Sequence, residues 1–380
     1  MYLELPEDVQ AIKINVAKLV NDKLAPMTRD IDQRDEYPWE ARKILADQGV
    51  LSLPFPEEYG GVDGRWLSFC VAIEEVARVN GAVSMMVGGQ ALGSGAICFY
   101  GNEEQKRKYI PRLASGELIP AFGLTEPNAG SDASSIRANA VRQGDEYVIN
   151  GAKTFISNGI NSNLVIVACK TSIKADPPYR GISLLVVEEG TPGFSRGRKL
   201  NKMGLHSQDT AELFFEDCRV PRANLLGQEG LGFKYIMQKL QQERLVCAIW
   251  GQALAEKMLK QTIEYCQSRK VFGHPVSEFQ HNSFKLAEMG TEIELGRTFL
   301  DNLVEEHLAG NHVVKKVSMA KYWITEMANR IAYNCLQLHG GYGYMEEYPI
   351  CRDYRDVRIF TIFAGTSEVM KSIIAKEMGL

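Results

Sequence analysis

The chain has 380 residues, of which 45% are apolar and 24% charged, and its formal net charge is −4. This balance is typical of a globular protein with a large core and excludes a disordered chain. A weakly negative chain lacks the positive field that attracts nucleic acid or an anionic membrane surface. Because the eight cysteines include no CxxC pair, neither a metal site nor a disulfide framework is expected.

The N-terminal segment is acidic and has no basic start followed by an apolar run. No signal or transit peptide is therefore visible, and a cytoplasmic location is expected. The longest weakly polar stretch, residues 83–100, is rich in glycine and contains Gln90. A buried helix that packs closely against its neighbours explains this composition better than a bilayer span does.

Three regions of different periodicity follow one another along the chain. Residues 7–118 show helical periodicity, residues 120–225 show short β-type runs, and helical periodicity returns from about residue 229. The sequence therefore predicts an α+β multidomain protein. Its expected parts are an N-terminal helical domain (1–120), a central β domain (121–225) and a C-terminal helical domain (226–380).

Local motifs narrow the interpretation of these domains. Two Asn-Gly steps, at 150–151 and 158–159, are typical of hairpin turns and predict an antiparallel central sheet. The chain has no GxGxxG after a strand, no GxxxxGK(S/T), no HExxH and no GxSxG. The common nucleotide-binding folds, zinc proteases and serine hydrolases therefore have no local support.

A long C-terminal helix, predicted from Gly230 to Lys270, has an acidic residue, Glu243, on an apolar stripe. The other members of the stripe are Ile236, Leu240, Cys247, Trp250 and Leu254. A carboxylate in such a place is partly desolvated, which suits a general base. The alternative is a buried structural ion pair, for instance with Arg244, although adjacent helical residues point about 100° apart and are poorly placed to pair.

Two segments of the central region have side chains suited to a flat polar ligand. The loop AFGLTEPNAGSD (121–132) offers backbone and hydroxyl donors at close approach, although a turn-rich linker explains it equally well. The strand KTFISNG (153–159) places Phe155 and Ser157 on one side, where they can stack on a ring and donate to it. Ordinary core packing is the alternative for this strand.

Taken together and in order, the motifs resemble those of the acyl-CoA dehydrogenase family over essentially the whole chain. The matching segments are LTEPNAGSD, FISNG, GLHSQDTAELFFEDCRVP, RKVFG with a glutamine further on, QLHGGYGY and GTSEV. The resemblance implies an N-terminal helical domain, a central antiparallel β domain and a C-terminal four-helix bundle. It also implies an extended FAD between the β domain and the C-terminal helices.

The resemblance assigns cofactor contacts to two groups of residues. Those implied to line the flavin and pyrophosphate are Phe122, Leu124, Thr125, Gly130, Ser131, Phe155, Ser157, Thr366 and Glu368. Those implied to reach the adenosine half of a neighbouring subunit's FAD are Arg269, Phe272, Gln280, Gln337, Gly340 and Gly341. For the two glycines, a helix C-cap is the alternative. A cofactor shared across an interface implies a homodimer or a homotetramer.

The reaction that the resemblance implies removes the α-hydrogen of an acyl thioester as a proton, while the β-hydrogen leaves as hydride to flavin N5. In many members the base is a glutamate in a C-terminal loop, where this chain has Ala364. The long-chain and isovaleryl branches, which QQERL resembles, have the base on the long helix. Glu243 is therefore the candidate base, with Arg244 as its family-typical neighbour, and the Ala364 N–H is suited to stabilise the developing enolate.

Substrate contacts are implied for Ser131, Gln241, Arg244, Trp250, Ala364 and Gly365. Trp250 lies about 10 Å beyond Glu243 along the helix, where it either closes the acyl pocket or packs in the core. Because Gln241 stands where several CoA-specific members have an aspartate, the thioester is either acyl-CoA or an acyl group, such as prolyl, on a carrier protein. The electron acceptor is an electron-transfer flavoprotein or O2. A catalytically silent flavin-binding scaffold is the remaining alternative.

Overall fold

The computed structural model describes residues 1, 4–62 and 65–380. Its N-terminal part is helical, and one of its helices, α6, begins at a capping box formed by Asn102 and Gln105. The helices are α1 (Glu7–Leu19), α2 (Thr28–Arg34), α3 (Trp39–Asp47), α4 (Trp66–Val79), α5 (Gly81–Tyr100) and α6 (Glu103–Ala114). The predicted N-terminal helical domain is confirmed.

Helix α5 is long and apolar enough to cross a membrane by length and composition, yet most of it is buried inside the protein. It packs against α4, α6, the central sheet and the long C-terminal helix. Its polar member Gln90 is buried and donates to the carbonyls of Leu113 and Leu118, which explains how an amide fits in this helix. The prediction of a closely packed core helix at 83–100 is confirmed.

The central part forms one large sheet in the strand order β6-β7-β3-β2-β4-β5-β8, with β1 beside β4. Its strands are β1 (Pro120–Gly123), β2 (Asn139–Gln143), β3 (Glu146–Ser157), β4 (Leu164–Lys170), β5 (Ile182–Glu188), β6 (Phe194–Lys199), β7 (Thr210–Pro221) and β8 (Leu225–Leu226). Most pairs are antiparallel, as predicted, but β4 is parallel to β1 and to the start of β2. A long loop rather than a tight turn follows β1, so a parallel pairing is open to it.

Neither of the two predicted hairpin turns is found. Asn150 and Gly151 lie inside β3, where the register to β7 shifts at a bulge. A Cβ on Gly151 would lie 2.6 Å from the Cβ of Ala138, so the glycine allows a close crossing of chains rather than a turn. Asn158 and Gly159 do form a turn at the end of β3, but it leads to β4, which does not pair with β3.

The C-terminal part is helical again after the two-stranded ribbon of β9 (Lys270–Val271) and β10 (His274–Pro275). Its helices are α7 (Gly232–Ser268), α8 (Gln280–Leu308), α9 (Val314–Leu338), α10 (Pro349–Val357) and α11 (Ser367–Glu377). Helices α7, α8 and α9 pack against one another, and α11 packs on α9. The predicted fold class is therefore confirmed.

Buried ion pairs join the two helical regions. Arg297 of α8 is fully buried and its guanidinium contacts Glu74 of α4 at 2.8 Å and Glu256 of α7 at 2.6 Å. The β domain is attached as well, because the N–H of Leu205 donates to the carboxyl of Asp356 in α10 at 2.6 Å. These contacts join α4, α7 and α8 to one another and α10 to the β domain.

Candidate active site

Along helix α7, the residues change from half-buried to fully buried just after Glu243. Residues 240–243 are half-buried, whereas every residue from Arg244 to Ala255 is buried. The Glu243 carboxylate is 20% exposed and forms an ion pair with the ammonium of Lys239, one turn earlier. The ion pair that the sequence offered as the alternative to a base is present, but its partner is Lys239 and not Arg244, because residues i and i+4 of a helix share a face and adjacent residues do not.

Lys239 is a residue that sequence reasoning missed. Its side chain is only 3% exposed, and its Nζ lies 5.3 Å from the ring centroid of Phe122 on β1. A lysine four residues before a glutamate on a buried helix is the signal that could have identified the pair. Through Lys239, the Glu243 carboxylate is tied to the strand that precedes the predicted flavin loop.

Arg244 extends to the C-terminal loop instead. Its Nε donates to the carbonyl of Ala364 at 3.4 Å, and burial lowers the pKa of its guanidinium. Ala364 has a φ of +53°, which is rare for a residue other than glycine, and within the described residues its N–H donates to no acceptor. Lys321 of α9 donates to the carbonyl of Gly365. Arg244 therefore joins the helix that bears a carboxylate to a loop that presents a free N–H.

Trp250 is buried two turns beyond Glu243. Its Nε1 donates to the hydroxyl of Ser84 on α5 at 2.6 Å. Its ring centroid lies 6.2 Å from those of Phe360 and Phe363, which stack on each other. Trp250 is therefore packed in the core, and its role as the end wall of the acyl pocket stays a prediction.

The loop after β1 is fixed by a buried acid. The carboxylate of Glu126 accepts from the N–H groups of Arg137 and Ala138 and from the ammonium of Lys153, at 2.6, 2.9 and 2.7 Å. Burial lowers the pKa of that ammonium. The loop is therefore held in place within the β domain, and its interpretations as a linker and as a ligand-binding loop both stay predictions. Predicted site residues lie along it, half-buried at Phe122, Leu124 and Thr125 and exposed at Gly130 and Ser131.

The strand β3 presents Phe155 and Ser157 to the outside, with Ile156 buried between them. Phe155 is 70% exposed and has a φ of +57° at a second irregularity of the β3–β7 register. Core packing of Phe155, the alternative for this strand, is therefore wrong. A bulky residue in the left-handed region is a strained arrangement of the kind that concentrates at binding sites.

A separate surface cleft of about 490 Å³ lies between the end of α7 and the segment after α9. It brings together Arg269, Gln337, Gly340 and Gly341, and the Arg269 guanidinium lies over the ring of Tyr342. The structure does not place the other two predicted adenosine contacts in the lining: Phe272 is 94% exposed, and Gln280 begins α8. Gly340, with a φ of +59°, follows the end of α9, so the helix-end role also applies.

Comparison with known proteins now decides the family. Models of the N-terminal, middle and C-terminal domains of acyl-CoA dehydrogenase match residues 6–117, 121–218 and 230–379. The chain belongs to the acyl-CoA dehydrogenase family. It is therefore an oxidoreductase that acts on CH–CH bonds, and the members of its family are flavoproteins.

Individual acyl-CoA dehydrogenases resemble the chain over nearly its full length. The mitochondrial long-chain specific acyl-CoA dehydrogenase of Mus musculus is 42% identical over 96% of this chain and 85% of its own length. A crystal structure of an acyl-CoA dehydrogenase from Geobacillus kaustophilus superimposes with a TM-score of 0.96, at 50% identity and 99% coverage of both chains. The prolyl acyl carrier protein oxidase AnaB has a TM-score of 0.94 at 27% identity, covering 99% of this chain and 100% of its own.

The residues present fit a flavin dinucleotide of the family's kind. An exposed aromatic ring at Phe155 and hydroxyls at Thr125 and Ser157 without partners among the described residues offer stacking and hydrogen bonding. A Cβ on Gly130 or Gly341 would meet no atom within 4 Å, and neither residue has a positive φ. Because the chain itself does not require glycine at these two positions, the open space suits a ligand that approaches the backbone closely.

The loop before α11 completes this region. Thr366 caps α11 by accepting from the N–H of Val369 at 3.3 Å. The backbone N–H of Glu368 and the Thr366 hydroxyl hold the pKa of the exposed Glu368 carboxyl below its ordinary value. On α7, Gln241 has a buried side-chain oxygen with no hydrogen-bond partner in the described part of the chain. A buried unsatisfied acceptor two residues before Glu243 is suited to an amide donor of the substrate.

Proposed function

We propose that this chain is an FAD-dependent acyl-CoA dehydrogenase in which Glu243 is the base. The base then lies on the long helix, as in the long-chain and isovaleryl branches of the family. The observation that carries the proposal is the pairing of two complementary groups on adjacent elements. A partly exposed carboxylate lies on α7, and an N–H without a partner among the described residues lies in the loop that Arg244 ties to α7. Removal of a proton beside a carbonyl needs both groups, a base and a donor for the enolate oxygen.

In this proposal each group of the chain has a defined role. Glu243 takes the α-hydrogen as a proton, and the Ala364 N–H stabilises the negative charge that develops on the thioester oxygen. The Lys239 ammonium orients the Glu243 carboxylate before substrate binds, and the free amide oxygen of Gln241 accepts from the pantetheine arm. FAD held by the predicted cofactor residues would supply the acceptor for the β-hydrogen and its electron pair, and the product would be a trans-2-enoyl thioester.

Cofactor binding is proposed to involve two surfaces of the chain. The flavin and pyrophosphate would be held by Phe122, Leu124, Thr125, Gly130, Ser131, Phe155, Ser157, Thr366 and Glu368. The adenosine half of the cofactor bound by a second copy of the chain would be held by Arg269, Phe272, Gln280, Gln337, Gly340 and Gly341. The open cleft and the strongly exposed Phe272 support a homo-oligomer, because both offer surface that a partner subunit and its ligand would cover.

The proposal is tested by anaerobic mixing of the purified flavoprotein with acyl-CoA thioesters. We expect at least one saturated acyl-CoA to bleach the flavin absorbance in a single turnover and to yield the 2-enoyl-CoA product. If no acyl-CoA bleaches the flavin, the chain is a silent flavin-binding scaffold or acts on another tether.

Two further arms of the same experiment separate the alternatives. A prolyl-loaded carrier domain tests the carrier-protein tether, which the resemblance to AnaB motivates at 27% identity. Bleaching by the carrier domain but by no acyl-CoA would replace acyl-CoA as the substrate. Reoxidation of the bleached enzyme by O2 rather than by an electron-transfer flavoprotein would identify an oxidase.

A further inference from the structure

Helix α7 touches α5 at two points, one on each side of Glu243. A Cβ on Gly95 would lie 2.5 Å from Cε of Lys239, and a Cβ on Gly88 would lie 2.5 Å from Cζ2 of Trp250. Real Cβ atoms do not approach other atoms so closely. Gly88 is therefore needed to admit the rigid Trp250 ring, whereas at Gly95 the flexible end of Lys239 can shift away from a Cβ. Glu243 therefore lies in a segment of the α5–α7 seam that Lys239 bounds at one end and Trp250 at the other.

Three contacts fix the Trp250 end of the seam. The indole N–H donates to Ser84 at 2.6 Å, and the Ser84 hydroxyl donates in turn to the carbonyl of Ile73 on α4 at 3.1 Å. Phe360 and Phe363 cover another side of the indole. A ring that is 3% exposed, hydrogen-bonded and enclosed by aromatic side chains cannot swing aside without breaking buried contacts.

Exposure varies along both helices of the seam. On α5, Met85, Gly89 and Leu92 are half-buried at helical spacing, while the other residues from Gly81 to Ile97 are buried. On α7 the half-buried face ends at Glu243. The half-buried face of α7 thus ends at Glu243, and the buried Trp250 ring lies within two turns beyond it, about 10 Å along the axis.

We infer that Trp250 limits the length of the acyl group, so that this enzyme takes short or branched acyl thioesters rather than long unbranched ones. The inference rests on the proposed function, since Glu243 must lie beside the α-carbon for the Trp250 ring to lie beyond the acyl end. It separates this chain from its 42% identical relative in Mus musculus, which is named for long chains. The size limit is built by one side chain and by the absence of a side chain at Gly88.

The test compares rates of anaerobic flavin bleaching by butyryl-, isovaleryl-, octanoyl- and palmitoyl-CoA. We expect the wild-type enzyme to favour butyryl- or isovaleryl-CoA over palmitoyl-CoA by at least about 100-fold, since a closed pocket excludes chains that it cannot hold. Trp250→Ala and Trp250→Leu should each reduce that ratio at least about tenfold by accepting octanoyl- or palmitoyl-CoA. Trp250→Phe keeps a ring in the seam and should keep the preference.

The outcomes are separable. If wild type is bleached by palmitoyl-CoA as fast as by butyryl-CoA, the length limit is wrong while the proposed function stands, and this result needs no variant to fold. If Trp250→Leu folds, binds FAD and keeps the wild-type preference, another residue sets the limit. If no acyl-CoA bleaches the wild-type enzyme, the proposed function fails and the length limit fails with it.

Discussion

At the scale of single residues, the ion pair between Lys239 and Glu243 most affects the proposed chemistry. The lysine side chain is 3% exposed and the glutamate side chain 20%, so water screens their interaction only in part. A carboxylate held by a buried ammonium has a fixed direction, whereas an exposed glutamate samples several rotamers. The pair therefore positions the proposed base in the helix groove before substrate arrives.

A double-mutant cycle measures this interaction. Lys239→Met and Glu243→Gln should each lower the free energy of unfolding by about 1–3 kcal/mol, because each leaves a buried polar group without its partner. The double variant should be more stable than the sum of the singles predicts, by about 1 kcal/mol or more, as judged by urea unfolding. The exposed pair Lys43–Asp47, with the same spacing on α3, is the matched control and should show almost no coupling. Additive effects at Lys239 and Glu243 would exclude the interaction.

The sequence could place Glu243 but not the backbone around it. The apolar stripe and the QQERL motif identified the residue, and the helix spacing could also have identified Lys239. The positive φ angles of Phe155 and Ala364 were not predictable, because nothing in their side chains favours that region. Tertiary contacts impose such strained angles, and a local pattern does not contain tertiary contacts.

At the scale of elements, the short helix α11 is linked to the site through its first turn. Thr366 lies in the loop that contains Ala364 and caps α11 with its hydroxyl. Ser367, the next residue, donates to Glu326 of α9 at 2.5 Å. The loop is therefore held by α7 through Arg244, by α9 and by its own helix cap.

Removal of the cap should loosen this loop. We expect Thr366→Ala to lower the free energy of unfolding by about 1 kcal/mol, since the N–H of Val369 loses its acceptor, and to weaken FAD retention. Thr366→Ser retains the hydroxyl and should behave as wild type in both respects. Thermal unfolding and the flavin-to-protein absorbance ratio are the two measurements. A Thr366→Ala protein with wild-type melting temperature and flavin content would contradict the role of the cap.

Element boundaries were predicted better than strand connections. Helix α5 and the long helix α7 follow from periodicity over many residues. One residue that departs from the pattern does not change a prediction made over so long a segment. The Asn150-Gly151 step instead lies at a bulge, because glycine serves both a turn and a close chain crossing and the dipeptide alone does not distinguish them. The parallel pairing of β1 with β4 depends on a long loop whose path no local signal encodes.

At the scale of the whole molecule, Asp356 connects α10 to the β domain through the N–H of Leu205. Complete burial raises the pKa of its carboxyl from 3.8 to about 6. Because the folded-state pKa lies above the unfolded one, the protonated form stabilises the fold. This contribution is complete below about pH 4 and is lost as the pH rises through about 6.

Asp356→Asn should therefore gain stability relative to wild type between pH 4.5 and pH 7.5. The amide keeps an oxygen that can accept from Leu205 and cannot ionise, so the difference should reach up to about 3 kcal/mol at the higher pH. Thermal unfolding at the two pH values measures it. Asp22→Asn, at an exposed site, is the control and should show no such change. A constant difference between Asp356→Asn and wild type would contradict the assignment.

The proposed oligomer makes a second prediction at this scale. Arg269→Ala removes a guanidinium from the cleft, so FAD affinity should fall at least about tenfold and the oligomer should dissociate more easily. Light scattering and flavin content measure the two effects together. Lys270→Ala, at the neighbouring exposed position outside the cleft lining, should leave both unchanged. An Arg269→Ala oligomer with full flavin content would contradict a cofactor shared between copies.

The most direct test of the central claim is the rate of anaerobic flavin bleaching by the acyl-CoA that wild type uses best. We predict that Glu243→Gln slows bleaching at least about 100-fold, because the amide cannot take the α-proton, while the variant, although less stable, still folds and retains FAD. Glu264→Gln, an exposed change on the same helix, should keep the wild-type rate. Bleaching of Glu243→Gln at the wild-type rate would show that the base lies elsewhere.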